Sequence, residues 1–78
     1  MGVDRKDTLA LVNLRSLMAS GQAREIRCAA GLSLREAGAV VDTSAATIHR
    51  WEGSHRSPHG VVAVRYAHFL ETLQKVTA

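Results

Sequence analysis

The residues best equipped for chemistry gather between positions 44 and 59. Ser44, Thr47, His49, Arg50, Ser54, His55, Arg56 and Ser57 fall there, and Arg35 lies a little upstream. All carry hydrogen-bond donors, and the arginines are permanent cations, so the set suits an anionic partner. His55 and His59 are four apart, which on a continuous helix would suit a zinc ion. Pro58 interrupts that spacing, so no metal is expected. Cys28 is the only cysteine, which excludes an internal disulfide and a multi-cysteine zinc site. No histidine or carboxylate stands in a recognisable setting to activate it. The chain carries no glycine-rich phosphate loop, no carboxylate pair and no nucleophile triad, so neither an enzyme nor a cofactor is expected.

These residues need elements to position them, and the apolar spacing supplies five. Asp7 is placed to cap a helix from Thr8, in which Leu11, Leu14, Leu17 and Met18 recur at helical spacing. Leu9 and Val12 widen that stripe. Residues 1–6 show no periodicity and read as a disordered arm. Ser20 and Gly21 end the helix, with Ser20 a candidate cap for a second one over 21–30. There Ala23, Ile26, Arg27 and Ala30 share a side, and Gly31 stands where a C-terminal glycine belongs. Ser33 and Glu36 have capping-box spacing, opening a third helix from Leu34 to about Val41. Asp42 and Thr43 break it. Ser44 caps a two-turn fourth helix over 45–52. Gly53, Pro58 and Gly60 set a loop, and a last helix runs to about Val76 with Val62, Tyr66, Phe69, Leu73 and Val76 along one face.

With 78 residues, of which 46% are hydrophobic, this is one small domain held by packing alone. No run approaches a membrane span, and Leu9–Val12 is too short for a signal-peptide core, so neither a membrane role nor export is expected and the chain reads as cytoplasmic. The net charge of +3 is unevenly placed. Residues 1–43 carry six basic and five acidic groups; residues 44–78 carry four and two, and all four histidines. A basic second half suits a polyanion and equally suits plain solvation.

Small residues at Ala37, Gly38, Ala45 and Ala46 would let the third and fourth helices cross closely at a steep angle. At this point the chain resembles the lambda-repressor/Cro-type, or Xre-type, helix-turn-helix regulators. The resemblance covers about residues 20–73. It rests on Arg24-Glu25-Ile26-Arg27 followed in register by Gly31-Leu32-Ser33, and on the run from Thr47 to Pro58. Two positions depart from it. Leu34 replaces a frequent phosphate-binding glutamine, so that contact is either lost or moved to Arg35. Asp42 stands where the turn usually has glycine.

The resemblance implies a partner, double-stranded DNA, and a role for each residue. Ala45, Ala46, Thr47, His49 and Arg50 are the expected base-contacting set, with Arg50 suited to both acceptors of a guanine. Arg35, Ser44, Ser54, His55, Arg56 and Ser57 are the expected phosphate contacts. Arg27 and Glu52 are implied to form a partly buried ion pair that sets orientation. Plain alternatives stand beside these. The alanines are good helix formers, Ser44 is a cap, and the loop is also what a solvated loop looks like. Ile48 and Trp51 belong to the core.

The expectation is therefore an all-α, compact five-helix lambda-repressor-like domain. Residues 1–19 form an arm and extra helix, and residues 20–78 form the helix-turn-helix unit. Its expected function is that of a sequence-specific regulator, a small Cro-like repressor of phage, prophage or plasmid type, with no small-molecule ligand. A protein-interaction module or antitoxin on the same scaffold is the alternative. Two surfaces are open to a homodimer: the N-terminal helix with Leu9, Leu11, Val12, Leu14 and Met18, or Val61, Val64 and Leu70 on the last helix. Packing on the same core is the plainer expectation for both. Arg5 and Lys6 are candidates for a minor-groove arm.

Overall fold

The computed structural model describes residues 4–77 and contains α1 (Arg5–Ser20), α2 (Gln22–Ala29), α3 (Leu34–Val40), α4 (Ala45–Glu52) and α5 (Gly60–Thr77). No strand occurs among the described residues. None of the described helices is long and apolar enough to cross a membrane.

Helix α1 starts earlier than the apolar pattern implies. Asp4, not Asp7, is its N-cap, and the Asp4 carboxylate accepts from the Asp7 amide at 2.9 Å. The first turn is polar and exposed, so it leaves no periodic trace. Arg5 and Lys6 belong to that turn and not to a free arm; residues 1–3 lie outside the described residues. Asp7 reaches His68 of α5 instead, Oδ1 to Nε2 at 3.0 Å. Ser20 does not cap α2. Gly21 holds that place in the left-handed region, while the Ser20 hydroxyl donates to Leu17 and accepts from Gln22.

Gly31 follows α2 with φ 76°, and its amide and that of Leu32 bond back to the carbonyls of Cys28 and Arg27. The Ser33–Glu36 capping box is complete and opens α3. Hydrogen bonding from the Ser33 amide, and then from the Ser33 hydroxyl, holds the Glu36 carboxyl below the usual carboxylate range. The tight turn to α4 depends on two residues. Asp42 takes the left-handed conformation at φ 58°. Gly38 lies against the turn so closely that a Cβ would sit 2.7 Å from the Thr43 carbonyl oxygen. Ser44 then caps α4 through the Thr47 amide at 3.2 Å.

The core gathers Leu14, Leu17 and Met18 of α1, Ala23 of α2, Ala37 of α3, Ile48 and Trp51 of α4, and Ala63, Tyr66, Ala67 and Leu70 of α5. Each fully buried aliphatic side chain is worth roughly 1.5–3 kcal/mol. Tyr66 is the aromatic hinge, with ring centroids 5.9 Å from Trp51 and 5.8 Å from Phe69. The face of α5 is rotated from the expected one. Ala63, Tyr66, Ala67 and Leu70 are its buried centre, Val62, Phe69 and Leu73 flank it, and Val76 is exposed. Counting only bulky residues misses alanines that let α1 approach. Val64 and Leu70, open to a dimer in the sequence reading, are buried within the chain's own core.

Gly38→Ala is expected to cost about 1–3 kcal/mol, because the atom it meets is backbone and cannot step aside. Denaturant unfolding measures it; an unchanged midpoint would mean the α3–α4 crossing is looser than described.

Candidate nucleic-acid interface

Helix α4 turns Ile48 and Trp51 inward, which leaves Ala46, His49 and Arg50 outward and exposed. Ala45 and Thr47 are half-buried at its first turn. The Thr47 hydroxyl lies 3.1 Å from that of Ser44, so both belong to the cap. Arg35 projects from the second position of α3, exposed; Leu34 before it packs against the core instead.

The loop after α4 is ordered by backbone bonds. Ser54 is left-handed at φ 59°, and the amides of Ser54 and His55 bond to the carbonyls of Trp51 and Arg50. Ser54, His55, Arg56 and Ser57 are all exposed. Pro58 is buried, and its carbonyl accepts from Nε of Arg15 on α1 at 3.0 Å. His59 folds back, its Nδ1 3.2 Å from the Ser57 carbonyl. Among the described residues no group of three or more histidine, cysteine or acidic side chains could hold a metal. Cys28 is exposed.

The orientation of α4 is held by Arg27. Its Nε donates to Glu52 Oε2 at 2.6 Å and its Nη2 to Oε1 at 2.9 Å. Its remaining nitrogen, Nη1, donates to the Leu32 carbonyl at 2.8 Å. The side chains are 8% and 5% exposed, so water cannot substitute for either partner. Hydrogen bonding to Glu52 raises the Arg27 pKa above its already high ordinary value, keeping it a cation at any working pH. One guanidinium thus ties α2, the approach to α3 and the end of α4.

This pairing also sets the charge of the outer surface. Glu52 is neutralised by Arg27, whereas Glu36, bonded in the Ser33 cap, stays exposed and charged. Among the described residues the side chains of Arg24, Arg35, Arg50 and Arg56 make no hydrogen bond or ion pair, and all four are exposed. The carboxylate of α4 is therefore turned inward and the arginines of this surface outward. Arg24 and His49 line one shallow groove with Glu52 and Gly53. Arg15 lines another, beside the loop. Sequence reasoning missed both Arg15 and Arg24 as surface partners, since only the folded chain brings them beside α4 and its loop.

Two stability outcomes follow. Arg27→Ala is expected to cost about 3–5 kcal/mol by stranding a buried carboxylate, and Arg27→Met with Glu52→Leu to recover most of that. Equal losses in both, by denaturant unfolding, would mean that volume and not charge is at stake. The Tyr66 hydroxyl is buried with no hydrogen-bond partner among the described residues, and burial, then the Glu52 charge, push its pKa above the ordinary phenol value. Tyr66→Phe is expected to leave the melting point unchanged or raise it, by up to about 1 kcal/mol of stability. A clear loss would reveal a partner for that hydroxyl.

The Helix-turn-helix family model matches residues 24–74, from the first turn of α2 into α5. No curated protein and no solved structure matches the chain. Helix α1 lies ahead of the matched segment. With the capped α3–α4 crossing and the outward arginines already in place, the match settles the family: the chain belongs to the Xre/lambda-repressor-like helix-turn-helix family of DNA-binding domains.

Proposed function

We propose that this chain is a sequence-specific, double-stranded DNA-binding transcription regulator, a small Cro-like repressor that acts in the cytoplasm by occluding polymerase. The observation that carries the reading is the outward face of α4, with Ala46, His49 and Arg50 exposed and the unpaired Arg35 and Arg56 on the elements either side. An α-helix is about 10–12 Å across with its side chains, which fits a major groove about 12 Å wide.

Each residue has a proposed role. Arg50 bonds a guanine edge, and His49, Ala45, Ala46 and Thr47 meet neighbouring edges, the alanines through a thymine methyl. Arg35 and Arg56 neutralise phosphates on either side. Ser44, Ser54, His55 and Ser57 donate to the same strands. Arg27 and Glu52 touch no DNA and hold the angle of α4. The molecule spans 34 × 27 × 23 Å, so one copy covers about one helical turn and a homodimer would read two half-sites.

Selection from a random duplex pool, with salt dependence recorded, tests this. One enriched motif and a steep loss of affinity with salt are expected. Arg50→Ala should relax a single base position at a cost of about 1–3 kcal/mol, whereas Arg56→Ala should weaken all sequences alike. Absence of any enriched motif or low-salt retention would overturn the reading and turn attention to a protein partner.

A further inference from the structure

Arg15, on the α1 side of the groove between α1 and the loop after α4, has no assigned role, and the composition of that groove is unusual. Arg15 of α1 and Arg56 of the loop both line it, with Ser54 and Ser57 beside them and Met18 and Trp51 beneath. No acidic side chain lines it. Neither arginine has an ion pair among the described residues. Two like charges facing one groove repel unless an anion joins them, and the repulsion grows as the groove walls exclude water.

The arrangement is also held in place. The Arg15 guanidinium is pinned by its Nε to the carbonyl of the buried Pro58, which leaves Nη1 and Nη2 without a protein partner. The bonds from Ser54 and His55 to the end of α4 fix the other wall. Arginine terminal nitrogens beside serine hydroxyls are the donor set that a tetrahedral phosphate accepts from. We propose that this groove is a phosphate-binding site in which Arg15 and Arg56 grip one phosphate, supplied by the DNA backbone flanking the motif that α4 reads. Helix α1, which lies outside the matched family segment, thereby adds a contact of its own to the interface. The DNA source rests on the function proposed above; the phosphate chemistry does not.

The experiment has two arms and uses the full chain. In the first, Arg15→Gln and Arg15→Lys are compared with wild type on the selected duplex across a salt series. Arg15→Gln should lower affinity about tenfold, flatten the log–log salt slope by about one unit and leave the selected motif unchanged. Arg15→Lys keeps the charge and should keep the slope. In the second arm inorganic phosphate is titrated against Trp51, the only tryptophan and part of the groove, with fluorescence as the readout. If wild type retains no duplex but millimolar phosphate changes Trp51 emission, and Arg15→Gln abolishes the change, the site stands and its ligand is a free phosphate compound. If wild type binds its motif and Arg15→Gln keeps the slope, the site is overturned while the regulator reading survives, whether affinity is unchanged or lowered. A lowered affinity at constant slope would make Arg15 only a brace for the loop. No response in either arm overturns both.

Discussion

The fold turns on one buried guanidinium. Arg27 satisfies a bidentate carboxylate at the end of α4 and a carbonyl just before α3, and both bonds are shielded from water. A buried pair of this kind adds little net stability over an apolar pair of the same volume, because desolvation offsets most of the attraction. What it adds is angle. An apolar contact tolerates rotation, whereas a two-pronged bond with a third anchor does not. The crossing of α3 and α4 therefore has two supports. Gly38 lets the backbones meet, and Arg27 fixes where the far end of α4 points.

The same pair explains the surface. A helix that offers arginine and histidine outward needs its own carboxylate out of the way. Glu52 follows Trp51 on α4, and left unpaired it would repel a polyanion. Arg27 neutralises it. One structural bond and the surface charge are linked here: the ion pair that closes α2 on α4 also takes the carboxylate of α4 out of the exterior. The placement of charge thus says more than the modest net value of +3.

Local chemistry was the legible part of the sequence. The capping box at Ser33 and Glu36, the Ser44 cap, Gly31 at the end of α2 and the strained Asp42 each depend on a few adjacent residues, and each is present. The start of α1 was illegible because an exposed polar turn leaves no periodic mark; only the Asp4 cap reveals it. The buried face of α5 was misread because Ala63 and Ala67 weigh little in a count of bulky residues, yet their smallness admits α1. Within the site, the outward residues of α4 follow from helical period. The partner of Arg27 was visible only through the family resemblance. The bond from Arg15 to Pro58 spans 43 positions and ends on a backbone carbonyl, which carries no residue signature at all.

The central claim is that DNA meets the outward face of α4 and the loop after it. The most direct test is a backbone-amide NMR titration of the labelled chain with the selected duplex. The account predicts the largest shifts at the first turn of α4, at His49 and Arg50, and across Ser54 to Ser57, with the outer surface of α5 near Val76 unmoved. Shifts centred instead on the exposed Leu9, Val12 and Val61 would place the partner elsewhere and contradict it.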